Sequence, residues 1–321
     1  MAVIGKDIAE AKQLLSKGDL VAIPTETVYG LAGNALNDQA VAKIFEAKNR
    51  PSFDPLILHT NSLEKVESFV KEIPQSLEEL AKAFWPGPLT LLLPKKEIIS
   101  DLVTAGLDRV AVRVPQHPIA LKLLVELDFP LAAPSANPFG YISPTQAGHV
   151  QAQLGDEIQY ILDGGACQVG LESTIVGMEE DQVVIYRMGG LDLREIEKIV
   201  GKVEVRSHSS SNPAAPGLLK SHYAPRKPFL VGDLEKLIPE YLEKGERFAV
   251  LSLARMFPLP ADFPQYQLSE SADLAEAARH LFGYMRSLDE SDVNLILAEW
   301  MPEEGLGRAI NDRLRRAAAL G

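Results

Sequence analysis

The sequence predicts an α/β protein in two parts. The larger N-terminal part is expected to hold a mixed sheet with flanking helices. The smaller C-terminal part is expected to be doubly wound and Rossmann-like. Three observations lead there. Strand-like and helix-like apolar patterns alternate along nearly the whole chain. The stretch Ser207 to Gly217, SHSSSNPAAPG, contains no Asp, Glu, Lys or Arg and has the composition of a linker. The length of 321 residues suits two domains at roughly 150 residues each.

The elements follow from local chemistry. Asp7 can cap a helix that runs to Lys17, with Gly18 as its stop. Leu20 to Ile23 reads as a buried strand. Asn37 or Asp38 starts a helix with Val41, Ile44 and Phe45 on one face. Further strands are expected at Leu56 to Leu58, Leu89 to Leu93, Val110 to Val114, Leu131 to Ala133, Tyr160 to Leu162, Thr174 to Val176 and Val183 to Tyr186. Helices are expected at Leu63 to Val70, Ser76 to Phe84, Ile119 to Glu126, Thr145 to Leu154 and Leu193 to Val200. Beyond the linker, strands at Phe229 to Val231, Phe248 to Leu251 and Val293 to Ala298 alternate with helices. Those helices are Leu234 to Glu243, Ala272 to Ser287 and Gly307 to Ala319. No GxGxxG accompanies this alternation, so a dinucleotide is not implied.

Composition narrows the function classes. The chain is 46% hydrophobic and 24% charged, which excludes disorder, collagen and coiled coil as the main state. Lys plus Arg is 32 and Asp plus Glu is 44, a net charge of -12. That charge disfavours general coating of nucleic acid but permits a local basic pocket. A single cysteine, Cys167, excludes an intrachain disulfide and a Cys-rich zinc site. The charged N-terminus lacks the apolar core of a signal peptide, and no apolar run is long enough to span a membrane. A cytoplasmic location is expected.

Few residues stand out chemically. Lys48 continues the apolar rail of its helix into the last turn, and Pro51 should end that helix and extend Arg50. Two cations at a helix exit suit a polyphosphate. Alternatively, Lys48 snorkels and caps the helix dipole. Arg113 sits in the apolar strand VAVRVP and needs an anionic partner, either an internal acid or a ligand carboxylate. Pro134 to Pro138, PSANP, follows a strand of small residues. It is either a close backbone approach to a ligand or simply a good turn. Thr25-Glu26-Thr27 can present hydroxyls at a strand end or cap a turn. His59 ends a strand, but no paired-His spacing supports a metal site. No GxSxG or Cys/His pair supplies a nucleophile. The chemistry is expected to rest on positioning substrates.

These pieces fall in a recognisable order. Pro24-Thr25-Glu26-Thr27-Val28-Tyr29-Gly30-Leu31 is followed by Lys48-Asn49-Arg50-Pro51, Pro55-Leu56-Ile57 and His59. Then come Phe84 to Thr90 (FWPGPLT), Val112-Arg113-Val114-Pro115, Ala133 to Asn137, Glu172 to Val176 (ESTIV), Pro216-Gly217 and His222-Tyr223-Ala224-Pro225. The set closely resembles the two-domain L-threonylcarbamoyladenylate synthases. The resemblance implies a YrdC-like catalytic domain with a twisted mixed sheet and flanking helices at 1–206. It implies a linker or lid at 207–226 and a small Rossmann-like domain at 227–321.

It further implies synthesis of threonylcarbamoyl-AMP from L-threonine, bicarbonate or CO2, and ATP, with release of pyrophosphate. The product would pass to the machinery that modifies a tRNA adenosine beside the anticodon, and tRNA binding by this chain would be weak or absent. By resemblance, Lys48, Arg50, Ser135, Asn137, Ser143 and Arg187 would meet the nucleotide, with Arg109 and Asp54 adding contacts. Asp54 stands where the family often has a neutral polar residue. Thr27, His59, Arg113, Ser173 and the backbone at Ala133 would hold threonine, and His222 and Tyr223 would close over the site. Mg²⁺ would arrive with ATP, and the protein would supply no ligand to it. Two rival readings stay open on the sequence: an RNA-binding module, and an enzyme that adenylates carbamoyl phosphate.

Overall fold

The computed structural model describes residues 1–206 and 222–320. The uncharged stretch of the expected linker lies outside the described residues. The strands of the N-terminal part are β1 (Val3–Gly5), β2 (Val21–Ile23), β3 (Gly30–Asn34), β4 (Ile57–His59), β5 (Leu89–Pro94) and β6 (Arg109–Arg113). They continue with β7 (Leu131–Ala132), β8 (Tyr160–Leu162), β9 (Thr174–Glu179), β10 (Gln182–Arg187) and β11 (Glu204–Val205). Its helices are α1 (Ile8–Ser16), α2 (Asp38–Lys48), α3 (Leu63–Val66), α4 (Gln75–Phe84), α5 (Asp101–Thr104), α6 (Pro118–Val125), α7 (Ala147–Leu154) and α8 (Leu193–Val200). The strands form one mixed sheet in the order β1-β8-β2-β3-β7-β4-β6-β5-β9-β10-β11.

Local signals explain most boundaries. The Asp7 carboxylate accepts from the Ala9 and Glu10 amides and starts α1, and Asn37 does the same for α2. The end of α2 departs from expectation. Asn49, not Pro51, stops it, by adopting the left-handed conformation (φ 51°). The Arg50 amide then donates to Phe45 O and the Asn49 amide to Glu46 O, the double bond of a Schellman turn. Helix α3 stops at Val66, four residues short of the expected Val70.

Several strands were not expected. β3 reads GLAGN, with few β-forming side chains, yet it is paired on one side with β2 and on the other with β7. Sheet context overrides its weak propensity.

The C-terminal part holds β12 (Phe229–Val231), β13 (Phe248–Ser252), β14 (Gln265–Gln267) and β15 (Leu295–Ala298), with helices α9 (Leu234–Glu243), α10 (Leu274–Glu290) and α11 (Gly307–Ala317). All its strand pairs are parallel, in the order β12-β15-β13-β14. This is the expected doubly wound sheet, with β14 as an unforeseen polar edge strand.

The two parts share a core. Val28, Ile142 and Leu171 pack in one cluster with Tyr223, Phe282, Met285 and Leu314. Gly170 marks how close they come. It has φ +79°, and a Cβ there would lie 2.5 Å from the Arg279 Cα of α10. Helices α10 and α11 therefore lie against the segments that build the site.

Candidate functional site

The site is a cavity of about 50 Å³ over one face of the large sheet. Pro55, Ile57 and His59, alternate residues along one chain segment, all line it. It therefore extends across the sheet face rather than sitting only at strand ends. Arg50, Arg113 and Arg187 also line it, with Thr25, Thr27, Ser135, Ser173, Glu172, His222 and Tyr223.

Arg113 ends β6 in register with His59 of the parallel neighbour β4. Its Nη2 lies 2.6 Å from the Glu26 carboxylate, its Nη1 donates to Thr27 Oγ1 at 2.8 Å and its Nε to Gly87 O at 3.2 Å. The anionic partner left open by the sequence is thus Glu26. Its other oxygen accepts from the Gln116 amide at 2.9 Å. Both members of the pair are buried, and the guanidinium still faces the cavity.

His59 is uncharged at neutral pH. Burial, then repulsion from Arg113, pushes it down to about 3. Its Nδ1 lies 3.2 Å from Ile57 O. A carbonyl oxygen only accepts, so this contact puts the proton on Nδ1 and leaves Nε2 as an acceptor. Thr25 Oγ1 bonds Thr27 Oγ1 and Val28 O, so the Thr25 to Thr27 segment is both a side-chain-closed turn and a cavity wall.

The cations at the other side are held mainly by main-chain oxygens. Arg50 donates to Asp54 O and Pro55 O and pairs with the Asp54 carboxylate at 2.9 Å. Arg187 donates to Ser173 O through Nε and Nη2 and to Ser173 Oγ. Ser173 Oγ also bonds Thr90 Oγ1 at 2.7 Å. Lys48 Nζ is buried under the 134–138 turn, donating to Ser135 O at 2.6 Å and to Asn137 O. Burial first, and the Arg50 charge second, hold Lys48 well below its ordinary value. Lys48 neither snorkels nor caps its own helix. It clamps the turn that carries Ser135.

The wall from the inter-domain side is aromatic. His222 meets Phe139 edge-on, and Tyr223 stacks on Phe282 of α10 with centroids 5.4 Å apart. Tyr223 has φ 65°, and the next residue, Ala224, donates its amide to Gly140 O. These contacts place His222 and Tyr223 against the cavity. They leave it room for a few water molecules rather than a nucleotide.

Comparisons with known proteins now decide the family. A family described as "Telomere recombination" matches residues 13–189, and one described as "Threonylcarbamoyl-AMP synthase, C-terminal domain" matches residues 191–319. A threonylcarbamoyl-AMP synthase of Pyrococcus abyssi is 44% identical, over 96% of this chain and 93% of its own. One of Bacillus subtilis is 42% identical, over 97% and 92%. The chain belongs to the threonylcarbamoyl-AMP synthase family. A crystal structure of the P. abyssi protein complexed with L-threonine superposes with a TM-score of 0.93 at 42% identity, covering 99% of this chain and 97% of that one.

Of the residues singled out for this synthase, Thr27, Arg50, His59, Arg113, Ala133, Ser135, Ser173, Arg187, His222 and Tyr223 converge on the cavity. Five do not line it. Lys48 and Asn137 lie behind Ser135. The Asn137 amide group donates to Pro138 O and Tyr141 O. Asp54 is wholly buried against Arg50. The Ser143 hydroxyl lies 2.5 Å from Glu172 Oε1, to which it donates. Arg109 is at the far end of β6 from Arg113, roughly 13 Å away at 3.3 Å per residue. There it donates to Tyr186 Oη and Met178 O. The nucleotide contact expected of Arg109 has no geometric support.

Glu172, which lines the cavity, and Glu26, which pairs with Arg113, were not singled out, although both stand inside motifs that were. The signal for Glu26 was available, because a cation in an apolar strand demands an acid. No group of three or more His, Cys, Asp or Glu among the described residues is placed to hold a metal ion. Glu26, Asp54 and Glu172 are each ion-paired to an arginine. This donor set does not fit a resident Mg²⁺. Nor does Cys167 offer a nucleophile, since burial pushes its thiol up.

Proposed function

We propose that this cavity is where the synthase joins L-threonine, bicarbonate-derived CO2 and ATP into threonylcarbamoyl-AMP and pyrophosphate. The observation that carries the reading is the meeting of three buried arginines from separate segments, Arg50, Arg113 and Arg187, with a neutral His59 and the hydroxyls of Thr27, Ser135 and Ser173.

Arg113 is the carboxylate anchor. Glu26 and Thr27 fix its plane, so little ordering is needed when the amino acid arrives. His59 Nε2 accepts a hydrogen bond from threonine. With its value near 3 it is too weak a base to strip the ammonium, so the amine loses its proton to solvent before the site closes. The amine nitrogen then bonds to the carbon of CO2 and gives up a second proton, forming a carbamate. A carbamate oxygen attacks the α-phosphorus, the bond to the β-phosphate bridging oxygen breaks, and pyrophosphate leaves with that electron pair.

Arg50, Arg187 and Ser135 meet the phosphates, and Lys48 and Asn137 act behind Ser135 by holding its turn. Mg²⁺, as ATP's counter-ion, would screen phosphate charge. No protein ligand to it is assigned. The cavity is too small for ATP while His222 and Tyr223 stand in it, so they move to admit substrate and return to exclude water from the labile carbamate. Residues 207–226 are the segment we assign to that lid. The small-molecule product is passed on to a tRNA-modifying transferase. One buried cysteine and no disulfide suit a reducing compartment such as the cytoplasm. Among the described residues no helix is long and apolar enough to cross a membrane.

The test is pyrophosphate release from ATP and Mg²⁺ with each amino acid, with and without bicarbonate. Release should need threonine and bicarbonate together. Serine, one methyl smaller, should be about 10–200-fold poorer. Equal release without threonine contradicts the reading.

A further inference from the structure

Arg313 belongs to α11 of the C-terminal domain and has no exposed side-chain surface. Its guanidinium nevertheless points into the N-terminal domain. Nε and Nη2 lie 3.2 and 3.0 Å from Glu172 Oε2, and Nη1 donates to Met188 O at 2.6 Å. The second Glu172 oxygen accepts from Ser143. Glu172 is therefore held at both oxygens, with one hold coming from each domain. It also lines the cavity, and the residue that follows it is Ser173, which grips Arg187. The Arg313 guanidinium further sits 5.3 Å from the ring centroid of Tyr223.

A buried carboxylate beside a cluster of cations does not stay unpaired. If Arg313 were absent, Glu172 would turn to the nearest cation of the cavity, and Arg187 already feels its charge. An Arg187 drawn onto Glu172 is lost to the phosphates. The arrangement also seats Tyr223 between α10 and α11, through Phe282 and Arg313. We propose that Arg313 is a positioning residue of the synthase site. It restrains Glu172 away from Arg187 and provides the seat for Tyr223, so that the C-terminal domain sets the phosphate end of a cavity built by the N-terminal domain.

The proposal rests on the reading of Arg187 as a phosphate contact, and the test separates the two. The full chain is assayed for kcat and for the KM of ATP and of threonine. The variants are Arg313→Met, Arg313→Lys, the double variant Glu172→Gln with Arg313→Met, and Arg187→Met. Thermal unfolding monitors the fold. Arg313→Met should raise the ATP KM by about tenfold or more and move the threonine KM by about twofold at most. The double variant removes both charges and should bring the ATP KM back toward the parent value. Arg313→Lys keeps the charge and can fold where the methionine does not. It should show the same ATP-selective rise, smaller in size. An unchanged ATP KM in Arg313→Lys while Arg187→Met raises it overturns the role of Arg313. So does a double variant no better than the single one, or an equal rise in both KM values. An unchanged ATP KM in Arg187→Met overturns the reading of Arg187 and the proposal built on it.

Discussion

Two buried arginine–glutamate pairs border the same cavity, and they are arranged in opposite senses. In Arg113–Glu26, 2.6 Å apart, both residues come from the N-terminal domain, and the carboxylate serves to aim a cation at the cavity. In Arg313–Glu172, 3.0 Å apart, the cation comes from the C-terminal domain and restrains a carboxylate that lines the cavity. A buried ion pair is weak evidence for stability, because desolvation offsets much of the attraction. The roles proposed for the two pairs are directional instead. One would present charge to a ligand, and the other would keep charge away from it. The comparison also divides the labour between the domains. The N-terminal part carries the cavity cations, and helices α10 and α11 hold Glu172 and Tyr223 beside them.

Breaking the first pair should have the largest effect. Arg113→Ala removes the proposed carboxylate anchor and strands Glu26 in a buried site. We expect a loss of about 3–5 kcal/mol in stability, seen in denaturant unfolding, and a fall in threonine kcat/KM of at least 100-fold, on the order of what a buried charged contact is worth. A folded variant with undiminished threonine dependence would contradict the anchor.

Lys48→Ala comes next. It leaves Asn137 O without a donor, at about 1–3 kcal/mol, leaves Ser135 O with only the Asn137 amide, and loosens the turn at the proposed phosphate side. The ATP KM should rise and the threonine KM should barely move in the same steady-state assay. The reverse pattern would exchange the two ends of the cavity.

A smaller effect sharpens the picture at His59. An unfolded histidine titrates near 6.5, whereas burial and Arg113 push the folded one down to about 3. Between those values the unfolded chain binds a proton that the folded chain does not. Stability is therefore present above pH 6.5 and is lost as pH falls toward 3. Thermal midpoints between pH 7 and 5 should drop less in His59→Gln than in the parent. Equal acid sensitivity would mean that His59 is not the group responsible. The smallest effect belongs to Arg109. Arg109→Ala should leave both KM values within about twofold, as expected of a residue outside the cavity.

The two pairs also show what can be read from a sequence. Arg113 interrupts VAVRVP, an apolar strand, so its need for a partner is visible without coordinates. Lys48 and Arg50 are visible for a similar reason, at the end of an apolar helical rail. The direction of the Lys48 side chain is not, because the 134–138 turn that receives it lies almost ninety residues away. Arg313 is hidden in NDRLRR, where another arginine on a charged helix reads as solvated. Its burial exists only because α11 docks on a second domain. Glu26 and Glu172 stand inside the family's motifs but look like ordinary turn acids. Ser143, expected at the nucleotide, instead holds Glu172, a contact between residues 29 apart in the chain. The fold is more legible than the site, since helix caps and apolar runs are local. The strands that escape, such as GLAGN and QYQ, owe their state to neighbours in the sheet.

The opposite senses of the two pairs can be tested in one experiment with charge-neutral double variants. Glu26→Gln with Arg113→Met and Glu172→Gln with Arg313→Met both remove an ion pair without stranding a charge. Threonine and ATP KM values are measured for each by pyrophosphate release. The first should keep its fold and its ATP KM but lose threonine binding, because the anchor itself is gone. The second should keep its threonine KM and recover most of its ATP binding, because the restraint is no longer needed once Glu172 is neutral. The same pattern of loss in both variants would contradict the division of roles between the two arginines.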